Sequence, residues 1–398
     1  MKWLIPLLIG FLLAAMGCSG VKPVSSDWNE KAGVQVLRMR WVKKLSPSLP
    51  NFLIGAQGVV EENDRFDPVE LASAGFDLDR RRAFMGASMG GLYCLDMRHG
   101  ETVWRFDLDD AVGSAPLYDS GHKAVFFGAD DGVFYSVHAR SGRKLWSVET
   151  GGEIRRKAVM HSGTLYVINA DNTLFALDPE NGEIIWQYRR PPVEGFSSTG
   201  HAGLTFHGDY VFTGFSDGFV AAFDAVGGDI VWSQDLAAEV STLAEDGTVK
   251  LIDVDATPVV VDGVVIAASV AGGMRGLDAE KGTVLWTRPE ITGVTGLATE
   301  DGIIFTARSA FGLTAIGAEG DVLWSKQFSA GVLQDPVVYN DVLLISDSEF
   351  GLYVVSAFDG RLLQRIDQRE GFFARPSVQS GYVLVIGNNG TLYAMSIL

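Results

Sequence analysis

Gly86-Ala-Ser-Met-Gly90 has the G-x-S-x-G spacing of a nucleophile elbow, in which a serine hydroxyl attacks an acyl carbon. That chemistry needs a strand–turn–helix context that lifts the hydroxyl clear of the backbone. Here the motif aligns with Gly128-Ala-Asp-Asp-Gly132, which runs strand–turn–strand between apolar segments, so Ser88 reads as a β-turn residue. The six histidines, at 99, 122, 138, 161, 201 and 207, lack the i, i+4 or H-x-H spacing of a metal site. They read as solvated or turn residues; His201 and His207, beside a long connecting segment, are the pair that could meet. Asp109-Asp110 and Asp130-Asp131 lie at turns, where Asp bonds its own backbone, and no D-x-D-x-D-G calcium loop occurs. The basic runs 80–82 and 155–157 are short and sit in acidic surroundings, as solvated turn charges do. Arg189-Arg190 precede a long segment and carry more interest. Neither catalysis nor a cofactor is expected from these residues, and no metal.

The elements around these residues repeat. "LYCLDMRHGETVWRFDL" (92–108), "FYSVHARSGRKLWSVET" (134–150) and "LFALDPENGEIIWQYRR" (174–190) are one hairpin written three times, with Trp104, Trp146 and Trp186 in register. Each unit has an opening strand, often with Pro, as in "ATPVVVD" (256–262) and "QDPVVYN" (334–340). A second strand, a third after a Gly or Asn turn, and a fourth with the Trp follow. Four short strands recurring every roughly 40 to 50 residues are the sequence signature of a β-propeller. Third strands occur eight times, from "GLYCLD" (91–96) to "GTLYAM" (390–395). Fourth strands carry Trp104, Trp146, Trp186, Trp232, Trp286 and Trp324, and a seventh has Gln364 in the Trp place. The eighth unit ends after its third strand, while "VLRMRWVKKL" (36–45), with Trp41, is a fourth strand with no repeat before it. The expectation is an all-β, eight-bladed propeller of four-stranded antiparallel blades over 34–398. The N-terminal strand completes the last blade and closes the ring, hiding sheet edges that an open array would expose. The Trp rings are expected between blades, because one blade cannot bury both its faces alone.

Three segments break the period: 58–71, placed in the first blade, 189–203 and 236–255. Function concentrates in such irregular connections. The net charge of −17 excludes a nucleic-acid partner that binds through phosphate neutralisation. Of the two cysteines, Cys94 falls in an apolar strand. Residues 1–17 have one Lys, a short apolar run and small residues before Cys18, the layout of a signal peptide. "AAMGC" (14–18) resembles a bacterial lipobox, which implies lipidation of Cys18 and a tether over 18–33. Stable anchoring takes more than one acyl chain, as a mature lipoprotein has. Ser19 in the sorting position implies the outer membrane.

The "xLxALDxxxGxxxWxxx" repeat is similar to that of the quinoprotein alcohol dehydrogenases, whose Cys-Cys and haem motifs are missing here. The chain resembles more closely the BamB-type lipoproteins of the outer-membrane β-barrel assembly machinery, in signal, size, blade number and N-terminal closure. "DVDATPVVVDGVV" (253–265) carries that resemblance most specifically. It implies a non-enzymatic, lipid-anchored scaffold facing the periplasm, which docks the POTRA domains of the barrel-assembly protein. Asp253 and Asp255 correspond to family contact residues. The family's second contact, a Leu-x-Leu-Arg loop, corresponds to 193–203, where Glu194 and Phe196 stand instead. The alternative is a ligand-binding or vestigial quinoprotein propeller with an acidic, ion-binding funnel on its axis.

Overall fold

The computed structural model describes residues 34–45, 70–191, 201–240, 250–309, 312–327, 331–368 and 370–398. They form eight four-stranded antiparallel sheets, and no helix occurs among them. Blades 1 to 7 run over 75–106, 117–149, 159–189, 205–235, 259–288, 294–326 and 337–367, each with its strands paired in chain order. Blade 8 takes three strands from 377–397, and Leu37–Lys44 pairs with Thr391–Ile397 as its fourth. The eight-bladed ring and its N-terminal closure are those the repeat predicts.

Burial is graded from axis to rim. First strands of neighbouring blades touch and surround the axis. The second and third strands read as unbroken apolar runs, such as Ala124–Gly128 and Thr173–Leu177, because both of their faces meet protein. Fourth strands alternate, as in Lys144–Glu149, because only one face is covered. The apolar clusters lie between blades: Phe84, Leu92 and Cys94 of blade 1 pack against Val125, Phe127 and Val137 of blade 2. Burial pushes the Cys94 thiol up to about 12, which makes it an inert core residue.

Blade 1 opens at Gly75–Asp77, so 58–71 precedes that blade rather than lying within it. Its residues 58–69, with 192–200 of the second segment and 241–249 of the third, lie outside the described residues. All three segments fall between a fourth strand and the next first strand, hence at one end of the blades.

Candidate functional site

The repeated Trp builds a clasp between blades. In the seven Trp-bearing blades the indole N–H donates to a carbonyl just past the next blade's third strand, at 2.8–3.0 Å. The acceptors run from Met97, reached by Trp41, to Ala357, reached by Trp324. The indole face lies on the turn glycine of that next blade: Trp104 on Gly142, Trp232 on Gly282. These glycines have positive φ, and a Cβ there would come within 2.5–2.6 Å of the ring, so only glycine satisfies both demands. Within its own blade each Trp faces a small residue, among them Cys94, Ser136, Ala176 and Gly276. The pairing register slips beside that residue in every blade, and such a bulge adds local twist.

Blade 7 departs from this plan. Gln364 stands in the Trp place, and its partner grows to Val354. The Gln364 carboxamide oxygen accepts from the N–H groups of Val36 and Leu37 at 2.8 and 2.6 Å. Its nitrogen donates to the Leu37 carbonyl at 3.2 Å. An amide that both donates and accepts thus holds the entry of the closing strand.

The axis carries different chemistry. A cavity of about 950 Å³ is lined by first strands and the residues just before them. Arg156, before blade 3, reaches into three other blades. Its guanidinium donates to the His201 carbonyl before blade 4, and to the Asp255 carbonyl before blade 5 at 2.8 Å. It pairs with the Asp335 carboxylate before blade 7 at 2.9 Å. Arg155 pairs with Asp130 at 3.1 Å and Glu153 at 2.7 Å. The 155–157 run is therefore an axial cluster, not the solvated turn charge the sequence suggests. Arg80 and Arg82 do behave as turn and surface charges, paired with Asp77 and Asp96.

His201 is only 6% exposed, and its Nε2 has no hydrogen-bond partner. Burial, then the charges of Arg156 and Arg155, lowers its pKa to about 3. The expectation of a solvated histidine fails there, because the Arg156 contact draws the His201 backbone to the axis. His207 is exposed. Lys157 extends into the channel, open to water there but walled by protein. That burial, with the Arg375 charge, lowers its pKa. Four cations, Arg155, Arg156, Lys157 and Arg375, line the cavity against two carboxylates, Asp255 and Asp335, which leaves two positive charges among the described residues. The acidic funnel of the quinoprotein alternative is not what these residues form. No group of three His, Cys, Asp or Glu placed to hold a metal occurs among the described residues.

Asp253 is 1% exposed, and its carbonyl accepts from Val270 N–H at 2.8 Å. It offers a partner almost no surface. Asp255 is half-buried on the cavity wall. Cys18, Glu194 and Phe196 lie outside the described residues. Ser88 sits in a strand–turn–strand, its hydroxyl donating to Glu70 at 2.7 Å and its N–H at 3.0 Å, as the turn reading requires. Arg190 pairs with Asp217 and lies 4.1 Å over the Phe219 ring. Sequence reasoning missed Arg156, Lys157 and Arg375 as a group. Their common signal is position, since each falls just before a first strand.

The family profile described as outer membrane protein assembly factor BamB matches residues 40–162, 88–319 and 312–398. The BamB proteins of Yersinia pestis and of Salmonella typhimurium are 30% identical over 249 residues and 32% identical over 187 residues. Those matches cover 62% and 46% of this chain, and 62% and 46% of the relatives, so less than two thirds of their length is spanned. The crystal structure of BamB from Moraxella catarrhalis aligns with a TM-score of 0.73 at 20% identity, covering 91% of this chain and all of that one. Quinohemoprotein alcohol dehydrogenase from Comamonas testosteroni aligns with a TM-score of 0.67 at 15% identity, covering 90% of this chain and 76% of that one. Both structures share the fold.

Proposed function

Because the chain belongs to the outer membrane protein assembly factor BamB family, we propose that it is a non-enzymatic scaffold of outer-membrane β-barrel assembly. In this reading, acyl chains on Cys18 hold the propeller at the inner leaflet of the outer membrane, facing the periplasm. Its partner is a barrel-assembly protein, docked through POTRA domains. The observation that carries the reading is the family match, which runs from the closing strand through blade 8. The fold is compatible with it. The ring is clasped by Trp at seven seams and by Gln364 at the eighth, and its long connections join fourth strands to first strands at the end of the blades where Asp255 also sits.

In this reading Asp255 makes the partner contact, while Asp253, which is buried, supports the segment that carries it. The segment containing Glu194 and Phe196 is the second proposed contact, with Phe196 as its apolar anchor. The test is affinity capture of the full-length tagged protein from gently solubilised envelopes, read by mass spectrometry. A POTRA-bearing barrel protein is expected in the eluate, and Asp255→Lys should deplete it at an unchanged melting temperature. Recovery of the lipoprotein alone would overturn the scaffold reading. Equal recovery with Asp255→Lys would overturn the contact assignment. Cys18→Ala should move the protein from the membrane to the soluble fraction.

A further inference from the structure

The axial cavity contains two cations that the ring leaves without carboxylate partners. Arg155 and Arg156 are engaged by Asp130, Glu153 and Asp335. Among the described residues the Lys157 ammonium, before blade 3, has no hydrogen bond or ion pair, and the Arg375 guanidinium, before blade 8, has only a 3.4 Å bond to the Pro336 carbonyl. Both line the same cavity, and each is close enough to feel the other's charge. Like charges in a water-filled channel walled by protein are screened less than they would be in bulk water. Of the two carboxylates that line the cavity, Asp335 is held by Arg156, and among the described residues no ion pair joins either Asp335 or Asp255 to Lys157 or Arg375. His201, on the wall of the same cavity, adds a buried Nε2 with no partner.

The geometry points to a binding site for a compact multivalent anion, a polycarboxylate or a phosphate, held between Lys157 and Arg375 in the axial channel. Each cation would give a charge-assisted hydrogen bond to an anionic oxygen. The cavity lies within the size range of small-molecule sites. Arg156 stays with Asp335 in this arrangement, so the ligand replaces none of the ring's own contacts. The site rests on channel geometry and is independent of the assembly role.

The test is calorimetric titration of the full-length protein, at low salt, with citrate and separately with inorganic phosphate. One saturating site is expected, and the tighter of the two probes identifies the ligand as carboxylate or phosphate. Lys157→Ala and Arg375→Ala should each weaken binding roughly 10-fold, the loss of one charge-assisted bond. Lys281→Ala, on an exposed turn of blade 5, should leave it unchanged. A second readout needs no variant. Acylation of Lys157 by an amine-reactive ester, followed by peptide mass spectrometry, should slow when the tighter probe is present. No saturable binding of either anion, wild-type affinity in both variants, or unprotected Lys157 under saturating probe would each overturn the site.

Discussion

At the outer seams one contact recurs: an indole on a glycine, its N–H on the next blade's carbonyl. At the axis the contact made by Arg156 occurs in one blade among the described residues, and it joins blades that are not neighbours. The seam is neutral, local and insensitive to pH. The axis is charged, long-range and built from side chains that deviate from the repeat. A repeat protein gains stability by copying a contact between neighbours. It acquires a particular surface by breaking the copy.

The largest test of that contrast removes a clasp. Trp232 is the most buried of the seven rings, at 8% exposure, and packs against the tilted Phe212 ring as well as Gly282. Trp232→Ala should destabilise the ring by about 3–5 kcal/mol, read from the denaturant midpoint. Arg156→Ala should cost less, because its ion pair with Asp335 is partly solvated. If the two losses come out reversed, the ring is held from its axis and the contrast fails.

Acid should separate the two regions next. His201 has an ordinary pKa of 6.5 and a folded value of about 3, so between them the unfolded chain binds more protons. Stability therefore falls as pH drops below 6.5, by about 2 kcal/mol at pH 5. Asp347, fully buried in blade 7, acts in the opposite sense. Burial raises its pKa from 3.8 to about 6, so its destabilising charge is present above pH 6 and is relieved as pH falls through that value. His201→Gln should flatten the acid loss between pH 6.5 and 5, and Asp347→Asn should steepen it. Melting curves across that range would expose an axis that does not titrate.

How much of this was legible follows the same division. The blades, their number and the closing strand could be read because the third strand, the turn Gly and the Trp recur at a fixed interval. That the Trp packs between blades also follows, since a repeated large aromatic on a half-exposed strand must find cover; that it clasps the following blade does not. Gln364 was visible as a gap in the Trp series, but its bonds to Val36 and Leu37 were not. They depend on a strand 327 residues away in sequence for the Leu37 bond. Arg156 looked like a turn charge because nothing local shows that the residue before a first strand points at the axis. Asp253 matched a family contact by sequence, yet it is buried, at 1% exposure. Gln364 offers the next test. Gln364→Ala leaves the Val36 and Leu37 N–H groups without their acceptor, worth about 1–2 kcal/mol. Hydrogen exchange at those two amides should rise while blade 3 stays protected; equal rises in both would mean that closure is not local.

The smallest effect tests whether the clasp is one contact or two. Trp186→Phe keeps a ring near Gly228 and removes the N–H donor together with part of the ring volume, a loss common to every seam. The acceptor, the Ala225 carbonyl, also receives the Tyr166 hydroxyl at 2.8 Å, so it stays bonded after the change. A buried carbonyl that keeps a partner avoids most of the desolvation penalty. At Trp104 no second donor to the Ala139 carbonyl is seen among the described residues, so Trp104→Phe leaves that oxygen without its indole partner. Because the lost ring volume is the same at both seams, Trp104→Phe should cost about 1 kcal/mol more than Trp186→Phe. Equal losses at the two seams would show that stacking on the glycine, and not the hydrogen bond, sets the strength of the clasp.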